Sequence, residues 1–188
     1  MPPSAQAGSV AKRVARIVAT VGGAGYAPRA PGTVGTIAAI PLAVVTASLP
    51  TPAFVALCAG IIALAIWASA VADATWETRD SKRIVIDEVA GYMVAVALVD
   101  RADPATLLAA FVLFRAFDIF KPPPIGWIDR EFGREFGREP GGRTAGAPKA
   151  GRGHALRGGA SVVLDDVVAG IYTALILLAL TGLGLLPR

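Results

Sequence analysis

Two stretches of the chain share one pattern. Ile84–Gly91 reads IVIDEVAG and Val162–Gly170 reads VVLDDVVAG. Each sets a carboxylate doublet, Asp87–Glu88 or Asp165–Asp166, inside an apolar run followed by small residues. A further acid, Asp118, lies in FRAFDIFKP, and Asp129 follows in GWIDR. A single acid at a helix start is explained by capping or by the helix dipole. Two doublets together with Asp118 are not. Clustered carboxylates repel one another unless a cation holds them. With one histidine in the chain, the cation should be hard and oxygen-seeking, hence Mg²⁺. A Mg²⁺ held by one or two carboxylates completes its shell with water and substrate phosphate, so phosphate-binding groups are expected close by.

Candidates for that role are present. Arg115, Asp118 and Lys121 recur every three residues and share one helix flank. Arg115 can hold a phosphate oxygen bidentately or orient Asp118. The loop APRAPGTVGT, Ala27–Thr36, leads into a helix start, where the Thr33 and Thr36 hydroxyls and free amides suit an anion. N-capping accounts for the same residues. Other phosphatase chemistries are excluded by residue type. A cysteine phosphatase needs an arginine six residues after its nucleophile, but the residue six after Cys58 is Leu64. A histidine-nucleophile enzyme needs two histidines, and there is no D-x-D motif for an aspartyl-phosphate. Metal-activated water acting on a phosphomonoester remains.

Positioning these acids falls to apolar helices. Of 188 residues, 54% are hydrophobic, and the mean hydropathy is +0.59, well above a soluble domain. Five apolar segments stand out: Val34–Leu49, Phe54–Ala72, Val85–Val99, Ala105–Phe120 and Val167–Leu186. Crossing a bilayer takes about 20 residues. The second and fifth reach that length, and too little polar sequence remains to cover the others. The expectation is an all-α polytopic membrane protein with about five membrane helices. An amphipathic helix over Ser9–Val21 should precede them, with Val10, Val14, Ile17, Val18 and Val21 on one face and Lys12, Arg13 and Arg16 opposite, lying on an anionic membrane surface.

Basic residues set the orientation. Lys12, Arg13, Arg16 and Arg29 precede the first helix, Arg79, Lys82 and Arg83 follow the second, and eight more lie between the fourth and fifth. The opposite face carries Arg101, flanked by Asp100 and Asp103, and Arg188. The amino terminus and all the acids are therefore expected on the cytoplasmic side. A net charge of +4 without interleaved aromatics favours anionic lipid over nucleic acid. The lone Cys58 excludes an internal disulfide. Residues 131–159, opening with EFGREFGRE, are Gly/Arg-rich and read as a mobile cytoplasmic loop in a single 1–188 domain.

APGTVGT, IVIDEVAG, FRAFDIFKPPPIGWIDR and GGASVVLDDVVAG resemble, in content and order, the phosphatidylglycerophosphatase A family, over nearly the whole chain. The resemblance implies a Mg²⁺-dependent, multi-pass enzyme of the bacterial inner membrane. Its active site would face the cytoplasm and hydrolyse phosphatidylglycerophosphate to phosphatidylglycerol and inorganic phosphate. Carried onto this chain, it makes Asp87, Glu88, Asp118, Asp165 and Asp166 catalytic, with Asp87, Glu88, Asp118 and Asp166 on the metal. Arg115, Lys121, Asp129 and Arg130 then face the substrate alongside Thr33 and Thr36. The 131–157 stretch is longer than the family's usual connection. No obligatory protein partner is implied. Rival readings are a small transporter with intramembrane carboxylates and a phosphatase or phosphotransferase acting on another lipid phosphate.

Overall fold

Proline and the apolar runs mark the helices. Pro31, Pro52 and Pro104 stand in the first turn of three of them, where a missing N–H costs nothing. The computed structural model describes residues 3–77, 81–120 and 152–187. The described residues are helical with no strand: α1 (Pro3–Ala19), a 3₁₀ segment (Val21–Tyr26), α2 (Pro31–Val45), α3 (Thr51–Trp76), α4 (Ile86–Ala95), α5 (Pro104–Phe120) and α6 (Arg152–Gly182). Each of the five apolar segments falls on one of α2 to α6.

Two of these helices are long and apolar enough to cross a membrane: α3, and the Val162–Gly182 part of α6. At 26 residues, α3 is about 39 Å long, beyond the roughly 30 Å of a hydrocarbon core. At 10 residues, α4 is about 15 Å long and does not reach across alone.

Short as it is, α4 is central. Eight of its ten residues are buried, and it packs most extensively on α6, with α2 and α3 on its other sides. Tyr92 of α4 meets Phe114 of α5 edge to face, with centroids 6.3 Å apart, and its hydroxyl donates to the Leu107 carbonyl at 2.9 Å. Elsewhere the contacts are made by small residues, including Ala39, Ala43, Ala65, Ala68, Ala72 and Ala90. Such residues let helix backbones approach closely.

At one end of the bundle Arg101 turns inward. Its guanidinium donates to the carbonyls of Leu49 (2.8 Å) and Ala97 (3.2 Å) and lies 4.1 Å from the Phe54 ring centroid. From sequence it is an isolated cation on that face; in the fold it ties the α2–α3 connection to the α4–α5 connection. Beside it, Asp103 caps α5. Its carboxylate accepts from the Thr106 amide and hydroxyl, both at 2.7 Å, which holds it below the usual carboxylate range.

Two boundaries differ from the sequence expectation. The last helix begins at Arg152, so the end of the 131–159 stretch is helical rather than loop. Asp165 and Asp166 consequently lie more than three turns inside α6, not at its start. The Gly/Arg composition of residues 152–159 hid this: Gly159 is buried, facing Ile66 and Ala70 of α3, where a Cβ would crowd the α3 backbone. At Gly159 the helix thus makes a tertiary contact that local propensity does not suggest. The amino-terminal helix starts at Pro3 and ends at Ala19. Val21, Gly22 and Gly23 then take positive φ and turn the chain sharply.

Candidate functional site

The acids meet because two glycines let α4 and α6 touch backbone to backbone. A Cβ at Gly91 would lie 2.5 Å from the Asp166 carbonyl oxygen and 2.6 Å from the Phe114 ring; a Cβ at Gly170 would overlap the Gly91 carbonyl. Gly91 follows Asp87 by four residues and Gly170 follows Asp166 by four. Each acid therefore lies on the same helix face as its glycine, and the approach the glycines permit draws the two acids together.

Asp87, Glu88 and Asp166 each offer a carboxylate oxygen, and these atoms lie within 4.8 Å of one another. Asp87 and Asp166 are buried, at 8% and 5% exposure. At an effective dielectric near 20, each fully ionised pair at that spacing repels by roughly 3 kcal/mol. The first turn of α4 offsets part of this through its dipole. The Glu88 amide also donates to Asp87 Oδ1 at 3.1 Å. The Glu88 Oε2 atom is buried and finds no hydrogen-bond donor among the described residues. Three acids so close, one with an unsatisfied oxygen, make a site complementary to a cation.

Asp118, from the last turn of α5, faces the same space. Arg115 donates to its Oδ2 at 2.5 Å, so Arg115 orients Asp118. Gly32, in the first turn of α2, completes the wall: a Cβ there would collide with the Glu88 carboxylate and lie 3.3 Å from Arg115 Nη1. The result is an open pocket of about 240 Å³, bordered by Pro31, Gly32, Ser81, Lys82, Ile84, Asp87, Glu88, Asp118, Val162, Asp165 and Asp166. All five acids read from sequence as catalytic line it.

The loop side of the reading fares differently. Thr36 is fully buried, and its hydroxyl donates to the Gly32 carbonyl at 3.0 Å, so it braces the turn of α2 that carries Gly32. Neither Thr33 nor Thr36 borders the pocket, and Arg115 engages Asp118 through Nη1. Lys121, Asp129 and Arg130 lie outside the described residues. Gly32, Ser81 and Lys82 were missed. Lys82 is the cation bordering the pocket among the described residues, and its place five residues before Asp87 was the available signal. The loop that carries it is pinned by the Ser81 amide, which donates to Asp73 Oδ1 at 3.2 Å, and by the Val85 amide, which donates to the Ala19 carbonyl at 2.9 Å.

Comparison with known proteins places this geometry in context. A family model described as phosphatidylglycerophosphatase A matches residues 17–137. A Haemophilus influenzae protein named phosphatidylglycerophosphatase A is 30% identical over 102 residues, covering 54% of this chain and 48% of its own length. The Escherichia coli protein of the same name is 30% identical over 99 residues, covering 53% of this chain and 44% of its own. A Bacteroides thetaiotaomicron protein, provisionally named a phosphatidylinositol-3-phosphatase, is 29% identical over 114 residues, or 60% of this chain and 55% of its own. The chain spans about half the length of the curated relatives it matches. No solved structure matches it.

Proposed function

The chain belongs to the phosphatidylglycerophosphatase A family, and from that premise we propose that it hydrolyses the phosphomonoester of phosphatidylglycerophosphate to phosphatidylglycerol and inorganic phosphate, with Mg²⁺ as cofactor. The observation that carries the reading is the close triad of Asp87, Glu88 and Asp166 on the wall of an open pocket that also holds Lys82. The residues fit a hard divalent ion. They are all oxygen ligands, a cation would relieve their mutual repulsion, and Glu88 Oε2 lacks a donor among the described residues. In this assignment Asp87, Glu88 and Asp166 hold the ion, and Asp118 borders it. When bound, Mg²⁺ supplies a Lewis acid and lowers the pKa of its water.

The chain's own groups do the rest. Lys82 neutralises a phosphate oxygen as a point charge. Arg115 fixes the rotamer of Asp118. Asp118 and Asp165, outside the close triad, are assigned to accept a proton from the attacking water. Gly32 keeps the mouth open by leaving Glu88 and the substrate phosphate unobstructed. The test is phosphate release from detergent-dispersed phosphatidylglycerophosphate, with Mg²⁺ and with excess chelator. Release with Mg²⁺ that falls to background on chelation is expected; release indifferent to chelation refutes the metal assignment. The name of the Bacteroides relative motivates a second reading, in which another lipid phosphate is the substrate. Faster release from a phosphoinositide monoester in the same assay would favour it.

We further propose a polytopic arrangement in the bacterial inner membrane, with the acids on the cytoplasmic side. Beyond the two long helices, α5 exposes Leu108 and Val112, and α6 exposes Ile171, Leu175 and Leu178 at helical spacing. These are stripes that suit lipid better than water. Asp87 at the start of α4 and Asp118 at the end of α5 share the end of the bundle opposite Arg101, and the basic asymmetry orients that end inward. In a Cys58→Ala background, a cysteine at Ser81 should react only from the cytoplasmic side and one at Thr51 only from outside. Labelling of both from one side would break the topology.

A further inference from the structure

A second cavity, of about 580 Å³, lies between α1, the 3₁₀ segment and the end of α3. Its chemistry is the reverse of the acidic pocket's. Lys12, Arg13 and Arg16 line it from one face of α1, with Ser9 and Thr20 on the same face, and Tyr26 and Thr75 lie across from them. No carboxylate borders it among the described residues. Its rim is aromatic and cationic together: the Arg16 guanidinium lies 5.8 Å from the Trp76 ring centroid, and that of Arg83 lies 5.7 Å from Trp76 and 5.8 Å from Tyr26. These stacks hold the guanidinium groups in place.

We infer that this cavity is a binding site for the headgroup phosphate of an anionic phospholipid, separate from the acidic pocket. One observation points to a phosphate-bearing ligand and two favour a lipid over a soluble anion. Three cations line one concave surface, which suits a phosphate-bearing ligand. Trp76 and Tyr26 flank it, and such residues prefer the headgroup level of a bilayer. Finally, α1 presents an apolar stripe beside the basic one: Val10, Val14 and Ile17 are 60%, 44% and 52% exposed at helical spacing, with Ile17 also bordering the cavity. With Ala15 and Ala19 buried, α1 is suited to lie in the interface with its stripe in the acyl boundary and its cations at headgroup height. The cavity is linked to the acidic pocket through the loop that carries Lys82 and Arg83. The Arg83 carbonyl packs where Gly25 has no side chain, and Lys82, its neighbour, borders the acids. An anionic lipid held here would steady the loop that carries Lys82.

The inference does not depend on the proposed hydrolysis, and the experiment keeps them apart. The full chain in the Asp166→Asn background, which disables the proposed metal site, is equilibrated with phosphatidylcholine micelles containing phosphatidylglycerol. Retained lipid is counted by native mass spectrometry. One phosphatidylglycerol retained in preference to phosphatidylcholine is expected. Adding Lys12→Gln and Arg13→Gln should weaken retention at least about tenfold, while adding Lys82→Gln should not. Arg16 is left unaltered because it packs on Trp76, so the double variant should fold. Retention that survives Lys12→Gln/Arg13→Gln, or that is equal for the two lipids, overturns the inference. So does displacement by millimolar inorganic phosphate, which would make the cavity a free-phosphate site.

Discussion

Asp166→Asn is expected to slow phosphate release from phosphatidylglycerophosphate by about a thousandfold or more, a loss of about 4 kcal/mol of transition-state stabilisation. Asparagine keeps the shape of the side chain and removes the charge that a Mg²⁺ ligand must carry. Asp166 is the only α6 member of the close triad, so no neighbour on that helix replaces it at the same spacing. Asp165 borders the pocket but is rotated by about 100° around the helix, and Asp165→Asn should cost less. The fold should survive, because α4 and α6 meet backbone to backbone at Gly91 and Gly170, a contact the substitution leaves in place. Removing one of three mutually repelling charges should leave the metal-free protein as stable as before or more so. Under the Mg²⁺ assignment the unaltered protein gains thermal stability on adding the ion, through binding to the folded state, and the variant gains none. Turnover within tenfold of the unaltered protein, or an unchanged Mg²⁺-induced stabilisation, would remove Asp166 from the metal.

The second large effect comes from an uncharged substitution. Gly91→Val should reduce activity at least about a hundredfold, some 2.7 kcal/mol, and lower thermal stability as well. The Cβ alone meets the Asp166 carbonyl and the Phe114 ring at 2.5–2.6 Å. Neither can yield: one is backbone of the central contact, and the other is fully buried against Tyr92. The helices must separate, and overpacking of this kind costs about 1–3 kcal/mol or more in a dense core. Separation moves Asp166 away from Asp87 and Glu88, so metal affinity should fall with the helix contact. Gly170→Val should do the same from the other side. Gly60→Val in α3 is the control, since nothing lies within 4 Å of a Cβ there. Full activity in Gly91→Val would mean that the α4–α6 approach is not what assembles the site.

Much of this was legible in the chain itself. Helix formation is local: apolar runs bounded by proline and polar residues placed α2 to α5 within a few residues of their observed limits, and both acidic doublets and Asp118 could be named as partners. The beginning of α6 was not legible, because the Gly/Arg composition of residues 152–159 reads as loop, while the fit of Gly159 against the α3 backbone is a tertiary contact. Nor was the Thr36 hydroxyl legible as a brace for Gly32, since N-capping, anion binding and back-bonding use the same residue type. The role of Arg101 was equally hidden, because the carbonyls it binds belong to turns some 50 residues away. Which acid of each doublet meets the other helix is a question of rotation and crossing between helices. That depends on where backbones can touch, and only the packed positions of Gly91 and Gly170 decide it. Sequence determined which residues could do the chemistry, because residue type and local periodicity are written along the chain. Tertiary structure decided which of them share a pocket, because the distances between helices are set by contacts that no local pattern encodes.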